Sequence, residues 1–279
     1  MIVANSAPLF AEKNVRLKRC RHGWMLYNIH DMYVGRSFDL YGEFSELEAQ
    51  IFAQLIPAGG VAIDIGANIG AHTVRLAQIV GHGGTVVAFE PQRIVHQMLC
   101  ANLALNALGN VWTFWAGAGR ETSSMRVPPL DYHATNNFGG ISLTSEAQGE
   151  TVQILPIDTL SLPACHFIKI DVEGMEREVI AGARNTIATW RPILYVENDR
   201  KDKSAALIAE IQGLDYRLYW HLSTLYTAGN FFGASENVFG TIVSVNMLCV
   251  PTERRFTLQG MREVTSPQET FANAPVHAG

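Results

Sequence analysis

Cysteine is scarce in this sequence and never closely paired: Cys20, Cys100, Cys165 and Cys249 stand far apart, with no CxxC spacing among them. That spread supplies neither the thiolate pairs of a structural zinc site nor the dense framework of a secreted disulfide scaffold. It fits isolated thiols in a reducing compartment. No stretch approaches the roughly 18 uncharged apolar residues that a spanning helix needs. The segment from Met1 to Arg21 also lacks an apolar run ahead of a cleavage site, so a cytoplasmic protein without membrane insertion is expected. Positive charge is in deficit too. With 21 Lys and Arg against 26 Asp and Glu, the formal charge is -5, which gives no electrostatic footing for a nucleic-acid partner. Internal repeats and low-complexity tracts are absent.

What is present is a foldable chain of 279 residues, 48% hydrophobic and 17% charged, too apolar for disorder and long enough to bury a large core. Short strand-like pieces are expected at 24–29 and 32–34. Ser45 followed by Glu48 has the spacing of a capping box and predicts a helix from Ser45 to about Leu55, stopped by Pro57, Gly59 and Gly60. From Val61 to about Val250, apolar runs alternate with helical patterns, as in a mostly parallel α/β sheet with crossover helices. The pattern predicts strands at 61–65, 85–89, 111–114, 167–170, 193–196, 216–219 and 241–250, with helices near 73–80, 94–107, 175–188 and 204–212. Between Arg120 and Thr151 the alternation lapses into a polar insertion containing Tyr132, His133, Asn136, Asn137, Gly139 and Gly140. Long irregular loops inside a domain are more often functional than idle, although a solvated hairpin excursion is the plain alternative. After Pro251 the chain reads as a frayed tail.

The most informative segment is Asp64-Ile65-Gly66-Ala67-Asn68-Ile69-Gly70, an apolar strand ending in an acid and a glycine turn before a helix. Such a turn cradles a nucleotide because small residues let the backbone approach it. The glycines are spaced GxxxG rather than GxGxxG, and no Lys-Ser or Lys-Thr pair follows to hold a triphosphate. Asp64 beside the turn disfavours pyrophosphate and suits a cofactor with a cationic amino group, such as S-adenosylmethionine. Twenty residues after Gly70, Glu90 ends the second strand, where a carboxylate can bridge ribose hydroxyls, or else be merely solvated.

These residues carry a resemblance. Together with Tyr41-Gly42-Glu43-Phe44-Ser45-Glu46, Phe89-Glu90-Pro91 and Ile168-Lys169-Ile170-Asp171-Val172-Glu173-Gly174-Met175-Glu176, the turn resembles the FkbM family of S-adenosylmethionine-dependent methyltransferases over roughly residues 31–250. The resemblance implies a class I, Rossmann-like fold: a seven-stranded, mostly parallel sheet with helices on both faces, over residues 57–251 with an insertion at about 120–151. An N-terminal extension and lid over 1–56 and a tail over 252–279 complete the chain. It also implies O-methylation of a small-molecule or glycan acceptor. Residue by residue, Asp64, Gly66, Ala67, Asn68 and Gly70 would hold the methionyl portion, with Thr73 on its carboxylate. Glu90 and Pro91 would hold the ribose, and Gly117 and Ala118 the adenine side, although Arg120 stands where the family often has an acid.

Ligands of open parallel sheets sit at the carboxyl ends of the strands, which makes Asp171 and Glu197 candidates to flank the reacting methyl. Asp171 is expected to position the acceptor hydroxyl, with Glu197 and His133 as rival bases and His221 behind them. Lys169, two residues before Asp171, shares its face and either orders it or reaches out to solvent. Glu173 and Glu176 fit a charge network at the next helix start. No metal is assigned, but Asp171, Glu197 and Asn198 offer oxygen donors of the kind that magnesium prefers. Tyr41 and Glu43 are candidates for a lid beside the cofactor. The aromatic group Tyr216, Tyr219, Trp220, Tyr226, Phe231 and Phe232 reads first as core. A relative that binds the cofactor without turning over is the competing functional class.

Overall fold

The computed structural model describes residues 7–146, 148–255 and 260–278. The expected extension, insertion and tail thus each include positions outside the described residues. A small antiparallel sheet opens the chain: β1 (Phe10–Ala11), β2 (Val15–Cys20) and β3 (Gly23–Asn28). The strand expected at 32–34 is instead the entry to helix α1 (Val34–Tyr41). Asp31 decides this, because its Oδ1 accepts the amides of Tyr33 at 2.9 Å and Val34 at 3.1 Å and bends the chain into a helical turn. Gly42, at φ 68°, ends the helix. Helix α2 (Glu46–Leu55) begins where expected, but without a capping box. Ser45 makes no side-chain cap, and Glu48 turns inward to His72, with Oε2 at 3.3 Å from Nε2.

The main body follows as β4 (Val61–Ile65), α3 (Ala71–Val80), β5 (Thr85–Phe89), α4 (Arg93–Leu105), β6 (Val111–Phe114), β7 (Gly117–Ala118), β8 (Ser123–Val127), β9 (Glu150–Leu155) and β10 (Phe167–Ile170). After β10 come α5 (Glu176–Ala181), α6 (Arg184–Trp190), β11 (Ile193–Glu197), α7 (Lys201–Gln212), β12 (Tyr216–Thr224), β13 (Val243–Pro251), β14 (Arg262–Val264) and β15 (Val276–His277). Strands β6, β5, β4, β10 and β11 lie side by side in parallel, and β13 runs antiparallel between β11 and β12. The central strands β4 and β10 are apolar apart from the buried pair Asp64 and Lys169, because both faces are covered. Ile63 and Ile65 pack with Val179, Ile180 and Ile187 on one face, and Ala62 packs with Phe52 and Leu76 on the other.

Two expectations are corrected at this level. The helix over 175–188 is two helices, broken where Gly182 meets Gly119: a Cβ on Gly182 would stand 1.9 Å from the Gly119 carbonyl oxygen. Asp158 restarts the helix by accepting the amides of Asn185 at 2.9 Å and Thr186 at 2.8 Å. The tail is not frayed among its described residues. Both β14 and β15 pair with β12 and bring the sheet to nine strands, and Phe271 sets its ring against Trp220 at 6.0 Å.

The insertion combines order and loop. β8 and β9 pair antiparallel, and β9 also pairs with β7. The loop between β8 and β9 is tied to the N-terminal extension by Asn28 Nδ2 on the Tyr132 carbonyl at 2.8 Å and by Met32 N on the Asn136 carbonyl at 3.0 Å. Gln92 Nε2 donates to the Phe138 carbonyl at 2.6 Å, which seats Phe138 in the interior. Among the described residues no helix is long and apolar enough to cross a membrane.

Candidate active site

Between β4 and β10 the direction of strand succession reverses, and there, at the carboxyl ends of the strands, a crevice opens. It holds a cavity of about 330 Å³, within the range of small-molecule sites. Its floor is the turn after β4. Gly66, at φ 79°, lies so close to the next strand that a Cβ would stand 1.8 Å from the Asp171 carbonyl oxygen. Glycine is therefore required there on both conformational and steric grounds. The amides of Gly66 and Ala67 both donate to the Phe89 carbonyl, at 3.0 and 2.9 Å.

Glu90 clasps this turn to the end of β5. Its Oε2 accepts the Asn68 amide at 2.9 Å and its Oε1 accepts the Gln92 amide at 2.8 Å. Burial pushes its carboxyl up to about 7 against these two hydrogen bonds, with Asp64 adding repulsion. Glu90, Pro91, Gly117 and Ala118 line the cavity together with Gly66, Ala67 and Asn68. Gly70 instead starts α3 in a left-handed conformation below them.

Asp64 and Thr73 lie beneath the floor rather than in the cavity. Both are fully buried, and Thr73 Oγ1 donates to Asp64 Oδ2 at 2.6 Å. The hydroxyl expected to meet a cofactor carboxylate is thus already spent. His72, one residue earlier, lines the cavity in its place, with Nδ1 buried and unpartnered, and Ser45 lines it nearby. Lys169 also lines the cavity and stands between two acids, 3.5 Å from Asp64 Oδ1 and 3.2 Å from Asp171 Oδ2. Burial works against its charge, but Asp171 and Asp64 outweigh that and raise its pKa, so the ammonium is retained. Its charge offsets Asp64, which weakens the repulsion of pyrophosphate inferred from the aspartate alone. Of the two readings of Lys169, the ordering ion pair is the one observed.

Asp171, Glu173 and Glu197 converge at the far end of the cavity, each with one oxygen within 4.8 Å of the others. Glu173, in a left-handed turn at φ 57°, receives Arg200 Nη2 at 2.7 Å. Burial and then the Asp171 charge push its carboxyl up to about 7. Among the described residues Glu197 has no ion-pair partner; its Oε2 is buried and unpartnered, and burial followed by Asp171 and Glu173 raises its pKa well above the ordinary value. Asn198 is turned away, with Nδ2 3.2 Å from the Met247 sulfur.

Other candidates are placed elsewhere. His133 is exposed and sits beside Asn14 Nδ2, outside the cavity lining. His221 is buried against the Tyr195 hydroxyl at 2.7 Å and is likewise outside the lining. Tyr41 fills core between Tyr226 and Phe239. Glu43 is outside the cavity lining and buried, pairing with Arg21 at 2.6 Å and accepting the Phe231 amide at 2.8 Å. Tyr216, Tyr219 and Trp220 are core.

Sequence reasoning missed Ser45, Glu48, His72, Gln92 and Asn137 as lining residues. The signal for His72 was available only as helix phase, since neighbouring residues differ by about 100° around a helix. Gln92 and Asn137 depend on the fold of the insertion and had no local signal.

Three solved structures are among those similar to this chain. The crystal structure of methyltransferase FkbM from Methylobacillus flagellatus KT is 19% identical with a TM-score of 0.46, covering 73% of this chain and 50% of that one, so this chain spans about half its length. M. jannaschii TYW2, solved in complex with AdoMet, is 12% identical with a TM-score of 0.47 and 87% of each chain covered. An rRNA methylase from Streptococcus thermophilus is 15% identical with a TM-score of 0.38, covering 74% of this chain and 95% of that one. No curated protein matches the sequence. The profile of the methyltransferase FkbM domain matches residues 64–218, more than half of the chain. The chain belongs to the FkbM methyltransferase family.

Proposed function

We propose that the cavity holds S-adenosylmethionine and that the chain transfers the methyl group to a hydroxyl of a sugar, lipid or polyketide-type small molecule. The observation that carries this reading is the convergence on one cavity of the Gly66–Asn68 turn, Glu90, the Gly117–Ala118 strand and Asp171. The residues fit the cofactor's parts. Glu90 keeps lone pairs for ribose hydroxyls beyond those used by the two amides. As an imidazolium paired with Glu48, His72 would present Nδ1–H to a carboxylate, as would the Ser45 hydroxyl, and the small residues Gly117 and Ala118 leave a slot for a base. When bound, the cofactor supplies an electrophilic methyl on sulfur.

The chain's own groups then align the acceptor. Lys169 orients Asp171 from 3.2 Å, and the carboxylate's remaining lone pairs receive the proton of the acceptor hydroxyl as it attacks in line. Glu197, beside it, takes the second polar contact. The acidic lining opposes phosphate-rich acceptors, which supports a small-molecule or glycan partner over nucleic acid. The four cysteines are unpaired, in keeping with a cytoplasmic setting.

Calorimetry with S-adenosylmethionine, S-adenosylhomocysteine and NADH tests the first half, with binding of the first two expected. Binding of NADH alone refutes it. Label transfer from methyl-labelled cofactor to a panel of glycosides, lipids and polyketides tests the second half. Cofactor binding without transfer to any of them favours a non-catalytic binder.

A further inference from the structure

We propose that Asp171, Glu173 and Glu197 form a binding site for one hard divalent cation at the acceptor end of the cavity. Two of the carboxylates come from the turn after β10 and the third from the end of the neighbouring strand β11. Asp171 follows the end of β10, with its amide bound to the Ile65 carbonyl at 3.0 Å. Glu173 projects from a left-handed turn two residues later, and Glu197 ends β11, the neighbouring strand. Among the described residues, these three are the group whose ligand oxygens gather within 4.8 Å of one another. Carboxylate oxygens bind calcium or magnesium at about 2.0–2.6 Å, so oxygens on opposite sides of such an ion lie at about this separation.

Charge balance identifies what is missing. Asp171 shares Lys169 with Asp64, and Glu173 is held by Arg200. Among the described residues Glu197 has neither an ion-pair partner nor a donor on its buried Oε2, although it lies against both of the other acids. Asp199 and Glu176 add further negative charge around it. An unpaired carboxylate is costly to bury, and the relief it finds is either a proton or a cation. Because the group lies in the cavity wall, positions around the ion remain open to water and to an acceptor oxygen.

Placed there, the cation would hold the acceptor hydroxyl and lower its pKa, a role that rests on the methyl-transfer reading. Binding of the cation does not rest on that reading. Asn198 is outside the cavity lining, with its Nδ2 directed to the Met247 sulfur.

The test is calorimetric titration of the chelator-treated full chain with CaCl2, MgCl2 and MnCl2 in turn, without cofactor. Saturable one-to-one binding of at least one cation is expected, weakened about tenfold or more in both Glu197→Gln and Glu173→Gln. Far-UV circular dichroism verifies that each variant is folded. Absence of saturable binding for all three cations overturns the proposal, as does wild-type affinity in a folded Glu197→Gln or Glu173→Gln chain. Adenosylhomocysteine binding without cation binding refutes this inference alone. Cation binding without adenosylhomocysteine binding refutes the cofactor assignment alone.

Discussion

Replacing Glu90 by Gln separates the cost of a buried charge from the worth of the hydrogen bonds around it. In the native protein the carboxyl titrates near 7 rather than at an ordinary 4.5, because burial outweighs the two amides that bind it. A native pKa raised above the unfolded one contributes stability that is fully present below the unfolded value and is lost as pH rises through the native value. From about pH 4.5 to above pH 7 the wild-type chain therefore loses about 3 kcal/mol through this one group. Glutamine cannot ionise, so the variant escapes that loss. It pays a different one: its NH2 faces an amide that formerly donated to carboxylate, at about 1–3 kcal/mol, and this cost is the same at every pH. The variant should be less stable than wild type at pH 5, and the gap should close or invert by pH 8. Urea unfolding of both proteins between pH 5 and 8.5 measures the difference, in which other titrating groups cancel. Parallel curves of stability against pH would refute the assignment of the raised pKa to Glu90.

Three further substitutions probe the floor and the reacting end. Gly66→Ala places a methyl against the Asp171 carbonyl at positive φ, so a loss of more than about 2 kcal/mol is expected in urea unfolding; a change within about 0.5 kcal/mol would contradict the geometry. Lys169→Met strands Asp64 in the core and should cost about 3–5 kcal/mol, with part of the loss recovered when Asp64→Asn is added; an unchanged urea midpoint would show that the ion pair is dispensable. Asp171→Asn should lower methyl transfer about a hundredfold or more while leaving adenosylhomocysteine affinity nearly unchanged. Undiminished turnover would remove Asp171 from proton transfer.

The fold was readable wherever apolar runs met local punctuation. Strands 61–65, 85–89, 111–114 and 167–170 occur where the pattern predicts them, because strands of a sheet covered on both faces read as short, nearly continuous apolar runs. The break at Gly182 was not readable: it depends on Gly119, more than sixty residues away, occupying the space a continuous helix would need. β14 is three residues long and acquires its identity only from β12. The same division holds in the site. Gly66, Asn68 and Glu90 belong to short motifs with their own geometry, and Lys169 and Asp171 share a strand face by alternation. Thr73 was named from its place in the first turn of α3, and the structure instead commits its hydroxyl to Asp64 under the floor, while His72, one residue earlier, faces the cavity. His133 was nominated by its loop, and the loop's course carries it outward to Asn14.

The C-terminal pieces have a consequence for how the molecule meets its own copies. β12 spans nine residues, Tyr216–Thr224, and Leu218 and Leu222 lie beside Val264 and Val276 of β14 and β15. Removing everything after Pro251 would leave that rim of amides and carbonyls bare, a template on which another molecule could add a strand. Shortened chains should therefore precipitate or dimerise rim to rim, and β14 and β15 serve as a guard that keeps the sheet to itself.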